Sequence, residues 1–269
     1  DSTAYLTFMT HTAIANLAQY CEVRGRIVPP TSACTSSSQA IGYAYEAIEH
    51  GLSDVMICGG AEEQHYATAV TFDLLMATSI KHNRAPERSP RPFDAARDGL
   101  VVGEGAGTLV LESAEHAAAR GAPVLAEVVG FGTNCDGRHM TANSREGMRD
   151  AMRLALDDAA LRPADVDYVN AHATATEVGD IEESHATREV FGRPVPCSSI
   201  KGTMGHTLGA CGALEAIACV RMLREGFLAA NKNLDEVDPR CAALDYVRET
   251  RAERPAVVLS NNFAFGGVN

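Results

Sequence analysis

The stretch from Pro30 to Gly60, PTSACTSSSQAIGYAYEAIEHGLSDVMICGG, governs how the rest of the chain is read. Ile41, Ala44, Tyr45 and Ile48 recur at the i, i+3, i+4, i+7 spacing of one helix face, and Gly51 stands where a C′ stop belongs. The DVMICGG that follows is short, apolar and closed by glycines, the pattern of a buried parallel strand. Cys34 therefore lies at the N-terminal entry of a helix, among small hydroxylic residues. Such an entry favours an anion, so the position predicts a lowered thiol pKa, and the thiolate is the nucleophilic form. The plainer alternative is an inert buried cysteine.

Outward from this unit, strands and helices alternate. HNRAPERSPRPFDAARDGLVVGEGAG, from His82 to Gly107, reads as a long loop feeding the strand GTLVLES. A helix AEHAAARG, a strand VLAEVVGFG and a helix over about residues 145–160 come next. The strand VDYVNAH ends at His172, and the helix EVGDIEESHATREVFG follows it. VPCSSIKGTMGH then leads to a small-residue helix, TLGACGALEAIACVRMLREG, which repeats the design of the Cys34 helix. Alternation of this kind implies parallel α/β layers. Two similar halves meet near residue 120. The opening run TAYLTFMTHTAIANLAQYC reads as a helix entered partway, so the functional protein is expected to be longer than these residues.

At 269 residues, with 46% hydrophobic and 22% charged content, the chain is an ordinary globular protein. A formal charge of −12 argues against a nucleic-acid binder, which needs a basic face. No apolar run reaches membrane-spanning length and no secretory leader opens the chain, so no membrane association and a cytoplasmic location are expected. The eight cysteines show no Cys-x-x-Cys pair, which points to reduced packing residues and no metal site.

His172 directly follows an apolar strand, placing it in the crevice at the carboxyl end of a parallel sheet, where α/β proteins hold ligand chemistry. His206 sits between glycines at the approach to the second small-residue helix. Either alone reads equally as a surface or satisfied core histidine. Lys201, five residues before His206, and Glu183, near a helix start, read as solvated charges when taken singly. NNFAFGGVN at the end is a poor strand but a good loop with backbone N–H groups to offer, serving as a gate and an oxyanion donor.

Together these residues resemble the β-ketoacyl-acyl carrier protein synthases, the decarboxylating condensing enzymes. The resemblance rests on six blocks in order: SACTSSSQAIGYAYEAIEHG, RPFDAARDGLVVGEGAG, NAHATATEVGD, SSIKGTMGHTLGACGALEA, GFLAANKNLDEVD and NNFAFGG. FDLLMATSIKHN and REGFLAANKNLDEVD look more like the synthase I branch than synthase II. The resemblance implies a thiolase-like five-layer α-β-α-β-α fold of two related halves, residues 1–118 with the nucleophile and 119–269 with both histidines. It also implies a dimer, and that about 130 residues of the usual N-terminal half precede this segment.

By the same resemblance, Cys34 accepts the acyl group, with Cys34 and Phe265 N–H groups as oxyanion hole and Phe265 and Phe263 in the gating loop. His172 and His206 hold the malonyl thioester carbonyl, and Lys201 and Glu183 orient them. Thr174, Thr176 and, less directly, Thr141 match positions that bind the pantetheine arm, which arrives as phosphopantetheine on an acyl carrier protein. Lys81, Arg84, Arg88 and Arg91 offer that acidic partner a basic cluster, unless Arg88 and Arg91 pair internally. Two departures, Ala173 for the usual glycine and Cys211 for an alanine, bear on substrate range. A thiolase would need a second catalytic cysteine, a type III synthase would carry asparagine at His206, and a chain-length partner of a ketosynthase heterodimer would lack Cys34.

Overall fold

The computed structural model describes residues 2–138, 140–141 and 143–269. Two sheets enclose a pair of helices. Helix α1 (Thr12–Tyr20) follows a 3-10 stretch, Ser2–Phe8, so the single opening helix expected from the sequence is divided, and none of α1 is buried. Helix α2 (Ser36–Glu49) ends where Gly51 adopts φ +66°, as the spacing predicts. Strand β1 (Val55–Glu62), helix α3 (Tyr66–Leu74), strand β2 (Gly105–Glu112) and helix α4 (Ala114–Ala119) complete the first half. The second half holds α5 (Arg145–Asp158), β3 (Tyr168–Asn170), α6 (Glu177–Phe191), β4 (Pro196–Ser198), α7 (Lys201–Met204), α8 (Cys211–Glu225), β5 (Asp245–Tyr246) and β6 (Val258–Ser260).

The four-stranded sheet has the order β5-β4-β3-β6 and is parallel throughout. Its β3 alternates strictly. Val169 faces α5 and α6 in a core with Met148, Met152, Val190 and Cys197, while Tyr168 faces α8 beside Cys219 and Met222. With period-two side chains, one apolar three-residue strand thus serves two helical layers. Helices α2 and α8 lie between this sheet and β1-β2.

Two expectations fail. DVMICGG forms β1, but β1 pairs antiparallel with β2, from Val55 opposite Glu112 to Glu62 opposite Gly105. The cause is connectivity: the long segment 63–104 brings the chain back beside β1 in the opposite sense. The pair is also open on one side, since Ile57 is 54% and Val110 58% exposed, so β1 is half-buried rather than buried. The segment VLAEVVGFG forms no strand, because no described strand lies alongside to bond its backbone, and Val124 and Leu125 stand exposed.

The halves share one local device. A 3-10 turn, Ala33–Thr35, leads into α2, and another, Leu208–Ala210, leads into α8. Each begins with a non-glycine residue at positive φ, +50° at Ala33 and +44° at Leu208. Such residues cost about 1–3 kcal/mol and persist only where surrounding contacts hold them. Small residues let the two helix starts meet: a Cβ on Gly212 would stand 2.1 Å from Ser38 Oγ, and the Ala213 N–H donates to Ser37 Oγ at 3.0 Å. Among the described residues, no helix is long and apolar enough to cross a membrane.

Candidate active site

The strained turn at Ala33 sets Cys34 two residues ahead of Ser36, the first residue of α2, and 7% exposed. His206 is carried there from the other half. Its N–H donates to the Val101 carbonyl and its own carbonyl accepts from Gly103, a parallel bridge that fixes the backbone. Its Nε2 lies 3.0 Å from Cys34 Sγ, and its Nδ1 is buried without a hydrogen-bond partner. His172, two residues beyond β3, meets His206 edge-to-face with ring centroids 5.2 Å apart. One donor atom from each of Cys34, His172 and His206 lies within 4.8 Å of the others.

Burial controls the protonation of this triad. It pushes the Cys34 thiol up to about 11, against the downward pull of Lys201 and of the Cys34 and Phe265 N–H groups. The thiolate promised by the helix entry is therefore not the resting form, because desolvation outweighs the helix-end field. Burial, reinforced by Lys201, holds both imidazoles well below the ordinary 6.5. The resting triad is a neutral thiol beside two neutral imidazoles. Three such donor atoms could also approach a soft metal ion, but a protonated thiol and a nearby ammonium both disfavour a cation here.

The charged residues beneath the triad divide into two networks. Lys201, at the start of α7 and fully buried, forms a salt bridge with Glu215 of α8. Burial works against its charge, yet Glu215 holds its pKa above the ordinary 10.5. Glu183 of α6 does not reach either imidazole. It accepts the backbone N–H groups of His172 at 2.8 Å and Ala173 at 2.7 Å, so it holds the His172 loop rather than the ring. Asp180, one turn earlier, likewise accepts from Ala175 and Phe93. The α6 N-terminus thus fastens the turn after β3 by carboxylates that receive main-chain donors.

Two residues at the centre were not singled out from the sequence. Glu215 is the lone acid within a small, apolar helix start, and its total burial follows from that setting. Asn262, just past β6, donates from Nδ2 to Glu215 Oε2 at 2.7 Å and to His172 Nδ1 at 3.2 Å. Phe263 packs 6.1 Å from the His172 ring. Phe265 is half-buried, 6.1 Å from Phe72, and its N–H draws the Cys34 pKa slightly downward. Thr174 donates to Thr176 Oγ1 at 3.2 Å, beside His172, and Thr141 stands exposed. Lys81, Arg84 and Arg88 are exposed, whereas Arg91 is buried against Asp94 and Asp235 and does not belong to a surface cluster.

A buried nucleophile-type side chain facing two neutral imidazoles, at the meeting of two α/β halves, defines a site suited to covalent transfer chemistry. The family model described as "Beta-ketoacyl synthase, N-terminal domain" matches residues 1–117, and the one described as "Beta-ketoacyl synthase, C-terminal domain" matches residues 125–235. The 3-oxoacyl-(acyl-carrier-protein) synthase 1 of Escherichia coli K12 is 43% identical over 256 residues, which cover 95% of this chain and 62% of that protein. A crystal structure of a β-ketoacyl synthase from Burkholderia phymatum STM815 superimposes with a TM-score of 0.98 at 54% identity, covering 100% of this chain and 66% of that one. A type II polyketide ketosynthase, solved in complex with its acyl-carrier protein and bound to a hexaketide, gives a TM-score of 0.95 at 30% identity, over 100% of this chain and 67% of its own. The chain belongs to the β-ketoacyl synthase family and has its thiolase-like fold, and it spans 62% of the length of the E. coli relative.

Proposed function

We propose that the protein is a β-ketoacyl-acyl carrier protein synthase of fatty acid or polyketide synthesis, and that its reaction runs through Cys34. The observation that carries this reading is the 3.0 Å contact between His206 Nε2 and Cys34 Sγ, with His172 alongside. In the first half-reaction Cys34 sulfur attacks the acyl thioester of a carrier protein. The new S–C bond forms as the carrier's C–S bond breaks, and the thiol proton leaves with the carrier's thiol. The neutral His206 is placed to take that proton as the thiol reacts, and the Cys34 and Phe265 N–H groups to receive charge developing on the carbonyl oxygen.

A malonyl thioester then enters. Its C–CO2 bond breaks, carbon dioxide leaves, and the electron pair is held as an enolate. His172 offers an N–H to that oxygen, and His206 offers one after its proton has passed from Nδ1 to Nε2 once Cys34 is acylated; a protonated pair would do so only at the cost of two buried charges. The carbanion attacks the acyl-Cys34 carbonyl, the S–C bond breaks with its electron pair on the Cys34 sulfur, which takes up one proton from water to return to the thiol, and a 3-oxoacyl product two carbons longer departs on the carrier. Thr174 and Thr176 hold the pantetheine arm, and Lys81, Arg84 and Arg88 face the acidic carrier; no other cofactor is required. Lys201 and Glu183 support the histidines, Lys201 through Glu215 and Glu183 through the main chain.

The test is mass spectrometry of the intact protein after addition of acyl- and malonyl-carrier proteins. Acyl-Cys34 and a 3-oxoacyl-carrier product are expected, and both should vanish in Cys34→Ala. An unacylated Cys34 would transfer the reading to a non-catalytic partner subunit of a ketosynthase heterodimer.

A further inference from the structure

Asn262 has an orientation that its neighbours leave no freedom to reverse. Its Nδ2 lies 2.7 Å from Glu215 Oε2, an atom that only accepts, so this end of the amide is the NH2 group. The second Nδ2 proton faces His172 Nδ1 at 3.2 Å, with the weaker acceptor Cys211 Sγ farther off at 3.5 Å, and Oδ1 accepts the Ser38 hydroxyl from α2. Asn262 is 6% exposed, so water does not compete for these bonds.

We propose that Asn262 is a positioning residue that locks His172 in the tautomer with its proton on Nε2. A neutral imidazole has one protonated and one bare nitrogen, and a nitrogen that accepts a hydrogen bond must be the bare one. The donor at Nδ1 leaves Nε2 as the nitrogen that meets a substrate oxygen, always as a donor. Lys201 fixes Glu215, Glu215 fixes the Asn262 amide, and the amide fixes the proton on His172. His206 has no such partner at Nδ1, which suits a ring that exchanges a proton with Cys34. The effect on rate rests on the condensing-enzyme reading; the tautomer rests on geometry alone.

The intact protein carrying 15N-labelled histidine tests the tautomer, with the His172 signals assigned by their loss in His172→Gln. In the unaltered protein Nδ1 is expected at the shift of a bare nitrogen and Nε2 at that of a protonated one; a protonated Nδ1 overturns the proposal without any variant. Asn262→Asp puts a carboxylate against Nδ1 and should move the proton there, and Asn262→Ala, which adds no buried charge, should give a mixture of tautomers. In Asn262→Asp, which leaves Nε2 bare, malonyl decarboxylation should fall about a hundredfold, the scale of one lost oxyanion donor; in Asn262→Ala it should fall only by the share of the Nδ1 tautomer read from the nitrogen shifts, while acyl transfer to Cys34 stays within about threefold. Equal losses in both half-reactions would show a structural role only and overturn the proposal. Absence of both half-reactions in the unaltered protein would refute the condensing function, and the nitrogen shifts would still decide the tautomer.

Discussion

At the scale of single residues, burial and the helix-end field act on Cys34 in opposite directions, and burial wins. With the thiol pushed up to about 11, alkylation by iodoacetamide should keep rising from pH 7 through pH 10, since only the thiolate reacts. A rate that reaches its plateau near neutral pH would show an ion pair with His206 instead. The position of Cys34 before a helix was legible in the sequence, but its pKa was not. Desolvation depends on what covers the sulfur, and the cover comes from residues about 170 to 230 positions away, among them Lys201 and Phe265. Glu183 shows the same division. Taken singly it read as a solvated charge, and only the family resemblance linked it to the histidines; its attachment to the main chain rather than the ring depended on the direction of the α6 axis.

Among the elements, the contact of α2 with α8 determines whether the two halves can bring their residues together. Gly212 permits it, because a methyl there would lie 2.1 Å from Ser38 Oγ and 2.8 Å from the Ser38 backbone nitrogen. Gly212→Ala should cost about 1–3 kcal/mol as overpacking, and lower the midpoint of thermal unfolding by several degrees. Scanning calorimetry checks this, and an unchanged midpoint would mean that the helices separate freely. The helices were legible from their 3.6-residue periods and terminal glycines. The strand at 124–132 was misread because an apolar run shows only the capacity to pair, and pairing needs a neighbour. The antiparallel sense of β1 was hidden for a related reason: a strand's own residues do not state which way its neighbour runs.

For the whole molecule, pH links the site to stability through Glu183. Burial raises its carboxyl from the ordinary 4.5 to about 7, although two main-chain N–H groups oppose the rise. Between those values the folded protein binds a proton that the unfolded chain has released. The Glu183 contribution to stability is therefore fully present below about pH 4.5 and is lost as pH rises to about 7, by about 3 kcal/mol. Glu183→Gln does not titrate and turns an amide nitrogen toward a backbone N–H, so it should be less stable than the unaltered protein at pH 4.5. The deficit should shrink by about 3 kcal/mol as pH rises to 7. Denaturant midpoints across this range measure it, and a constant deficit would place the Glu183 pKa near its ordinary value.

The sequence by itself determined the α/β class and the two small-residue helices, because period and glycine position are local properties, and it offered the thiol and two imidazoles as candidates that the family resemblance singled out. Only the tertiary structure decided that the triad rests uncharged, that Lys201 pairs with Glu215, and that Asn262 bridges Glu215 to His172. Those facts depend on desolvation and on atoms placed within about 3 Å by elements far apart in the chain, and neither is encoded in any one stretch of it.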